Sequence, residues 1–107
     1  MPAHRTADPV LARFRQALSD MYGDRIEHVV RFGSQARGDA QPEADYDVAV
    51  FLNSLADRWA ELDRLADLRV RFLDETGAFF DAKPYPARAY RERTPLMHEI
   101  RREGHEL

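Results

Sequence analysis

Apolar residues recur along this chain with two periods, one typical of helices and one typical of strands. Near the N-terminus the helical period is carried by four apolar residues: Leu11, Phe14, Leu18 and Met21. Asp8 and Pro9 precede them and Gly23 follows them. Because aspartate caps helix N-termini, proline fits the first turn and glycine ends helices, this pattern predicts a helix over residues 9–22 with one buried face.

The longest helical pattern covers residues 56–76. Its main apolar stripe has six members: Leu55, Trp59, Leu62, Ala66, Val70 and Leu73. Three more residues widen the stripe: Leu65, Leu68 and Phe72. Asn53 or Ser54 is the expected N-cap, and Gly77 is the expected end. The stripe is wider than one sheet face needs, so we expect core packing for most of it and contact with a partner protein for the rest. Four arginines alternate with acids on the other side and predict a solvated face: Arg58, Arg64, Arg69 and Arg71.

Three runs rich in apolar and β-branched residues predict strands over residues 26–32, 48–52 and 78–85. Pro84 and Pro86 place the third run at a sheet edge or at a strand exit, because proline cannot donate a ladder hydrogen bond. Thr94 and Pro95 open a last helix over residues 95–104, which Gly104 ends. This succession predicts an α/β (α+β) fold with a small mixed sheet of three or four strands packed against helices.

Length and composition indicate one ordinary globular domain. The 107 residues leave room for a single core, expected over about residues 8–104, and residues 1–7 are expected to form a loose arm. The net charge of −3 disfavours a general nucleic-acid binder, which would usually be basic. Cysteine is absent, and neither a membrane-length apolar run nor a signal-like N-terminus is found. We therefore expect a cytoplasmic protein without membrane contact.

Chemically informative residues concentrate between the first two predicted strands. The segment Gly33-Ser34-Gln35-Ala36-Arg37-Gly38 follows the first strand, and Asp45-Tyr46-Asp47 leads into the second. A glycine turn that opens a helix presents N–H groups and a serine hydroxyl to phosphate. Asp45 and Asp47 are two apart on an extended chain, so their carboxylates point the same way, and paired carboxylates bind Mg²⁺. Together the two parts predict a nucleoside triphosphate held through a metal ion.

Asp81 adds a third carboxylate. It follows Phe79 and Phe80 in the third predicted strand, where an ionised side chain is costly unless a metal ion, a cation or water attends it. The alternative is an aspartate that faces solvent at the end of the strand. With three carboxylates the site would hold two Mg²⁺ ions, one on the triphosphate and one on an attacking hydroxyl group.

This combination resembles the signature of the minimal nucleotidyltransferases, a family of the DNA polymerase β-like superfamily. The resemblance covers roughly residues 26–104, including the closing segment from Pro95 to Gly104. It implies the nucleotidyltransferase fold and ATP as the substrate. The implied metal ligands and catalytic carboxylates are Asp45, Asp47 and Asp81. The implied nucleotide contacts are Gly33, Ser34 and Arg37. For Arg37 two roles stay open, since it either braces the loop or touches a phosphate.

Short, free-standing members of this family are commonly antitoxins, encoded beside a HEPN-domain ribonuclease toxin and thought to transfer AMP from ATP to a toxin tyrosine. The resemblance therefore implies a Mg²⁺-dependent adenylyltransferase that forms a hetero-oligomer with a HEPN toxin. Two alternatives stay open. One is an antitoxin that neutralises its partner by contact alone, and the other is a nucleotidyltransferase for a small molecule such as an aminoglycoside. Nucleic acid is the less expected substrate because the chain is acidic.

Overall fold

The structure is a computed structural model that describes residues 8–33 and 45–107. Within these ranges the α-helices are α1 (Pro9–Tyr22), α2 (Arg58–Thr76) and α3 (Pro95–Glu103). The strands of the same ranges are β1 (Ile26–Phe32), β2 (Tyr46–Leu52), β3 (Phe80–Pro86) and β4 (His105–Glu106), and 3₁₀ turns lie at Gly23–Arg25 and Ala87–Arg91. None of the described helices is long and apolar enough to cross a membrane. The expected arm over residues 1–7 and the expected short helix that follows Ser34 lie outside the described residues.

The described strands form one mixed sheet in the order β3-β2-β1-β4. β1 runs antiparallel to β2 and to β4, whereas β2 runs parallel to β3. β3 therefore lies at an edge, as its two prolines predict, because Pro84 and Pro86 lack the N–H that an inner strand would use. The α/β fold with a small mixed sheet is confirmed.

One face of the sheet is covered by α1 and α2. The sheet contributes mainly even-numbered residues of β2 and β3 to this face: Val48, Val50, Leu52, Phe80 and Ala82. The helices contribute large side chains, among them Phe14, Leu18, Leu65 and Phe72. Phe14 stacks on Phe80 with ring centroids 3.9 Å apart and meets Phe72 edge-on at 5.1 Å. Full burial of each such side chain contributes about 1.5–3 kcal/mol to folding.

The other face is covered by α3 and by the 3₁₀ turn at Ala87–Arg91. The buried residues there are Val30, Ala49, Phe51, Ala89, Met97 and Ile100. Because successive strand residues point to opposite faces, the odd-numbered residues of β2 and β3 belong to this face, and Asp47 and Asp81 are among them. Both aspartates are only half-buried, so the cover is incomplete at the end of the sheet where β2 begins.

The helix starts follow local capping chemistry. α1 and α3 start as predicted, capped by Asp8 and Thr94. The expected N-cap of α2 is wrong, because this helix starts at Arg58 and its cap is Asp57 rather than Asn53 or Ser54. The side chains of these two residues are instead hydrogen-bonded to the segment before β1.

The buried face of α2 also differs from the expectation. The buried residues are Glu61, Leu65, Leu68 and Phe72, so the group expected only to widen the stripe is the one that enters the core. Most of the main stripe points outward instead, and Trp59 and Val70 are 76% and 62% exposed, whereas Leu55 lies before the helix and packs against the core. Two adjacent apolar faces share the helical period, and only packing against the sheet decides between them. Glu61 is buried with Arg25 as its cation, whose guanidinium lies 3.0 Å from Oε2.

The structure contains a short fourth strand after α3, at a place where the sequence predicted no strand. Gly104 follows α3, and the chain then returns along β1, where His105 pairs with Arg31. A side chain at Gly104 has no room, since a Cβ there would overlap Val30 and the carbonyl oxygen of Ile100. Glycine at this position therefore allows α3 and β1 to approach each other closely, and it also ends the helix.

Candidate active site at one end of the sheet

Two of the three predicted carboxylates lie on neighbouring strands in the same register. In the parallel pair of β2 and β3, Asp47 is the direct partner of Asp81. Registered residues on adjacent strands project from the same face, with backbones about 4.8 Å apart. Asp81 keeps 31% of its side chain exposed. Strand pairing thus brings together two acidic residues that are far apart in the sequence, on a part of the sheet that solvent reaches.

Asp45 lies just before β2 and is tied to the segment that leads into β3. Its backbone N–H donates to the carbonyl oxygen of Phe79 at 2.9 Å. Its carboxylate oxygen Oδ2 accepts a hydrogen bond from the N–H of Phe79, also at 2.9 Å. This reciprocal pair holds Asp45 at the end of the sheet that carries Asp47 and Asp81, and Asp45 is exposed there.

The end of β1 reaches the same end of the sheet. Phe32 is the β1 partner of Asp47, and Gly33 follows it directly. The predicted phosphate turn therefore starts beside the acidic pair. Ser34 and Arg37 lie outside the described residues, so the phosphate contacts expected of them stay predictions.

Two cations flank Asp81. Lys83 Nζ lies 3.5 Å from Oδ2 of Asp81, and a terminal guanidinium nitrogen of Arg69 lies 4.0 Å from Oδ1. Lys83 is two residues beyond Asp81 on β3 and so belongs to the same face. Arg69 comes from α2, and its Nε donates to the carbonyl oxygen of Phe80 at 2.7 Å. The two cations offset part of the negative charge that the carboxylates concentrate at this end of the sheet.

Lys83 and Arg69 are the residues of this site that sequence reasoning missed. Lys83 is the only lysine of the chain, and its spacing of two from Asp81 was the signal available. Arg69 was expected on a solvated face of α2. That expectation is wrong, because β3 runs beside the helix and offers the carbonyl oxygen of Phe80 as an acceptor.

On the opposite face, Tyr46 links β2 to the start of α1. Its ring stacks on Phe80 with centroids 4.5 Å apart, and its hydroxyl donates to Oδ2 of Asp8 at 2.5 Å. Burial, the hydrogen bond to Asp8 and the charge of that carboxylate raise the pKa of Tyr46 to about 12. For Asp8 itself, burial acts to raise the pKa, but hydrogen bonds from Tyr46 and Leu11 and the charge of Arg31 lower it on balance. The strand that carries the acidic pair is thereby fastened to α1.

The donor set suits a divalent cation such as Mg²⁺. Hard cations prefer carboxylate oxygens, and Asp45, Asp47 and Asp81 supply them at one end of the sheet. Across residues 8–33 and 45–107, no three carboxylate, imidazole or thiol groups are placed together so that they could hold one ion. Asp45 accepts from the Phe79 N–H and Asp81 faces Lys83. For all three carboxylates to bind one metal site, Asp45 therefore has to release the Phe79 N–H and Asp81 has to release Lys83.

Comparison with known proteins identifies the family. The family model described as a nucleotidyltransferase domain matches residues 11–93, a range that contains all three aspartates and Gly33. A curated relative from Methanocaldococcus jannaschii, named "Putative protein adenylyltransferase MJ0141", is 33% identical over 46 residues. These residues cover 43% of this chain and 46% of the relative, so the match spans about half the length of that protein.

A solved structure, described as "Crystal structure of the toxin-antitoxin with AMP-PNP", contains a chain of similar fold. The superposition has a TM-score of 0.53 at 18% identity and covers 88% of this chain and 69% of that chain. At this identity the likeness shows the fold alone. Since the family model spans most of the chain, the resemblance drawn from the Gly-Ser turn and the paired aspartates is confirmed, and the chain belongs to the nucleotidyltransferase domain family.

Proposed function

We propose that this protein transfers AMP from ATP to a hydroxyl group of a partner protein. The observation that carries the proposal is the register of β2 and β3, which sets Asp47 beside Asp81 at the end of the sheet where Asp45 also lies. Membership in the nucleotidyltransferase domain family supports a nucleotide as the donor. The name of the curated relative supports adenylyl transfer to protein.

Each part of the site has a role in this reaction. Asp45, Asp47 and Asp81 would hold Mg²⁺, with two ions implied by the resemblance, and the metal supplies charge stabilisation for the triphosphate and acidifies the acceptor hydroxyl. The acceptor oxygen forms a bond to the α-phosphorus of ATP while the bond from that phosphorus to pyrophosphate breaks. Asp81 takes the hydroxyl proton, and Lys83 together with the turn at Gly33 stabilises the departing pyrophosphate.

We infer that the acceptor is a tyrosine of a HEPN-domain toxin and that this protein is its antitoxin. The motif from Gly33 to Asp47 supports this, because it resembles that of antitoxins of this kind. The fold neighbour adds support, since it comes from a toxin-antitoxin structure with AMP-PNP, an analogue of ATP. The apolar residues that α2 exposes give the chain a surface suited to a protein partner.

Transfer is tested with ATP labelled at the α-phosphate, Mg²⁺ and the protein encoded by the neighbouring gene. The wild type should label the neighbour, whereas ATP labelled at the γ-phosphate should leave it unlabelled, because pyrophosphate departs. Asp47→Asn should abolish labelling, since it removes a charged ligand at nearly constant volume. Asp24→Asn, at an exposed position before β1, is the matched control and should transfer as the wild type does.

Two results would contradict parts of this proposal. Equal labelling by the wild type and by Asp47→Asn would refute the catalytic role of the acidic pair. Mass spectrometry of the labelled neighbour should place AMP on a tyrosine, and AMP on another residue type would refute the assigned acceptor while leaving adenylyl transfer in place.

Neutralisation by contact alone is the second candidate function, and the exposed apolar side of α2 is the observation that favours it. Calorimetry with ATP in the presence and absence of Mg²⁺ separates the two candidates. Metal-dependent ATP binding supports the transferase. An intact complex with the partner, formed by a protein that does not bind ATP, supports the contact mechanism.

A further inference from the structure

α2 exposes a continuous row of apolar side chains, here named the α2 stripe. Its members are Trp59, Ala66, Val70 and Leu73, which are exposed, and Leu62, which is half-buried. Their spacing of three and four residues places them on one side of the helix, turned away from the buried Leu65 and Phe72. Single exposed apolar residues are ordinary, but a row of them along a helix marks an interaction surface.

The α2 stripe leads to the candidate active site. Beyond the end of α2, Phe79 is 40% exposed, and the guanidinium of Arg69 lies 5.8 Å from the centre of its ring. The N–H of Phe79 donates to Asp45, and Arg69 reaches Asp81. Residues that border the α2 stripe thus touch two of the three carboxylates. A partner seated on the stripe is therefore brought next to the site.

One flank of the α2 stripe is an acidic row formed by Asp63, Asp67 and Asp74. All three side chains are exposed. In the part of the chain that the structure describes, none of the three has a hydrogen bond or an ion pair. The four arginines of α2, including the two nearest the acidic row, already have contacts within the chain: Arg58 lies over the ring of Tyr85, Arg64 lies 4.0 Å from Glu61, Arg69 bonds to β3 and Arg71 lies over the ring of Phe72. The positive charge that the acidic row lacks must therefore come from the partner.

We propose that the α2 stripe binds an amphipathic helix of the acceptor protein, one whose apolar side is bordered by lysine and arginine residues. The α2 stripe runs from Trp59 to Leu73, about 21 Å along the helix axis, which is enough for a partner helix of several turns. The acidic row fixes the orientation of the partner helix, because the basic border of that helix must face the row. A second copy of this chain matches less well, since it would offer either its own acidic row or arginines that already have contacts. The inference rests on the proposed function only in naming the acceptor as the partner.

Docking can be measured without ATP. Trp59 is the only tryptophan of the chain, so its fluorescence reports directly on the α2 stripe. The probes are two helical peptides without tryptophan that share a leucine stripe and differ only at its border, which carries arginine in one and glutamate in the other. The arginine peptide should shift the Trp59 emission to shorter wavelength and bind at least about tenfold more tightly than the glutamate peptide.

Charge variants test whether the acidic row causes the preference for the arginine peptide. The triple variant Asp63→Asn, Asp67→Asn and Asp74→Asn leaves the stripe intact and should reduce the tenfold difference to less than about twofold. The matched control removes three exposed acidic charges elsewhere through Asp24→Asn, Glu92→Gln and Glu103→Gln, and it should keep the difference. Val70→Ser, on the exposed side of α2, should weaken the binding of both peptides.

Three outcomes decide the inference. Equal binding of the two peptides, or an unchanged preference in the triple variant, overturns it. A dimer that sedimentation velocity detects in the wild type and that Val70→Ser removes would assign the α2 stripe to a second copy. Asp47→Asn should bind the arginine peptide as the wild type does, so a loss of docking and a loss of AMP transfer are distinguished by separate measurements.

Discussion

At the residue scale, the carboxylate of Asp81 lies between two cations that it can exchange for a metal ion. Its two oxygens face Lys83 and Arg69, at 3.5 and 4.0 Å. Neither distance is that of a short hydrogen bond, so neither cation holds the carboxylate tightly. A multivalent cation would compete well for the same oxygens, and Lys83, more than half exposed, would then be released toward the phosphates of a nucleotide.

Lys83→Met tests this role. The change keeps the length of the side chain and removes its charge, so we expect the KM for ATP in AMP transfer to rise by about tenfold, or about 1.4 kcal/mol. Lys83→Arg should retain most of the activity because the charge remains. The control is Arg102→Met on the exposed side of α3, which should leave the KM unchanged. If Lys83→Met lowers the KM, Lys83 only competes with the metal for Asp81.

The extent to which individual site residues could be predicted depended on whether their signal was local. Asp45 and Asp47 are predicted from their spacing next to an apolar run, and Gly33 from its place after a strand. Lys83 required the pairing of β3 with β2, which the sequence does not display, before its place beside the site became visible. Arg69 required in addition the position of α2 against that edge of the sheet.

At the scale of elements, the boundaries that depend on local chemistry were predictable, and the choice of the buried face was not. The caps at Asp8 and Thr94 are local hydrogen bonds, so the starts of α1 and α3 follow from neighbouring residues. Which apolar side of α2 enters the core depends on the sheet, and the side with Leu65 and Phe72 does so. β4 could not be predicted, because a strand of two residues has no periodic pattern.

The hydrogen bond from Tyr46 to Asp8 fastens β2 to α1, and its effect on stability should depend on pH. The pKa of Asp8 is lowered in the folded protein, so its contribution is present above the unfolded-state value of 3.8 and is lost as the pH falls through the folded value. Tyr46→Phe keeps the ring and removes the hydroxyl donor. We expect a loss of about 1 kcal/mol in the free energy of unfolding at pH 7.

Urea unfolding at pH 7 and at pH 2 measures this dependence. The difference between the wild type and Tyr46→Phe should shrink at the lower pH, because protonation of Asp8 removes the charge that accepts the hydrogen bond. Tyr90→Phe is a suitable control, since the hydroxyl of Tyr90 has no such partner among the described residues. A difference of the same size at both values would show that the charge of Asp8 has no part in the effect.

At the scale of the whole molecule, the candidate active site joins three strands. β1 ends beside it with Phe32 and Gly33, β2 carries Asp47, and β3 carries Asp81. A ligand that contacts all three should therefore stabilise the complete sheet instead of one segment of it. The mixed topology that makes this possible was expected from the sequence only in its class, because strand order is a property of long-range pairing.

Thermal unfolding tests this coupling. ATP with Mg²⁺ at about 100 times its Kd should raise the free energy of unfolding by about 2.7 kcal/mol, which corresponds to a Tm increase of about 10 °C or more. The increase should vanish when EDTA removes the metal. It should also vanish in Asp47→Asn but persist in Asp24→Asn. An unchanged increase in Asp47→Asn would place nucleotide binding elsewhere on the protein.

Both edges of the sheet are poorly suited to accept another strand. On β3, Arg69 occupies the carbonyl oxygen of Phe80, and the two prolines further along offer no N–H. On the opposite edge, β4 presents only two residues. Among the residues that the structure describes, an extended peptide would find few backbone partners on either edge, and such edges are how many proteins avoid edge-to-edge aggregation and fibril growth. We therefore expect concentrated solutions of the folded protein to resist amyloid formation, and partners to recognise side chains rather than a free backbone ladder.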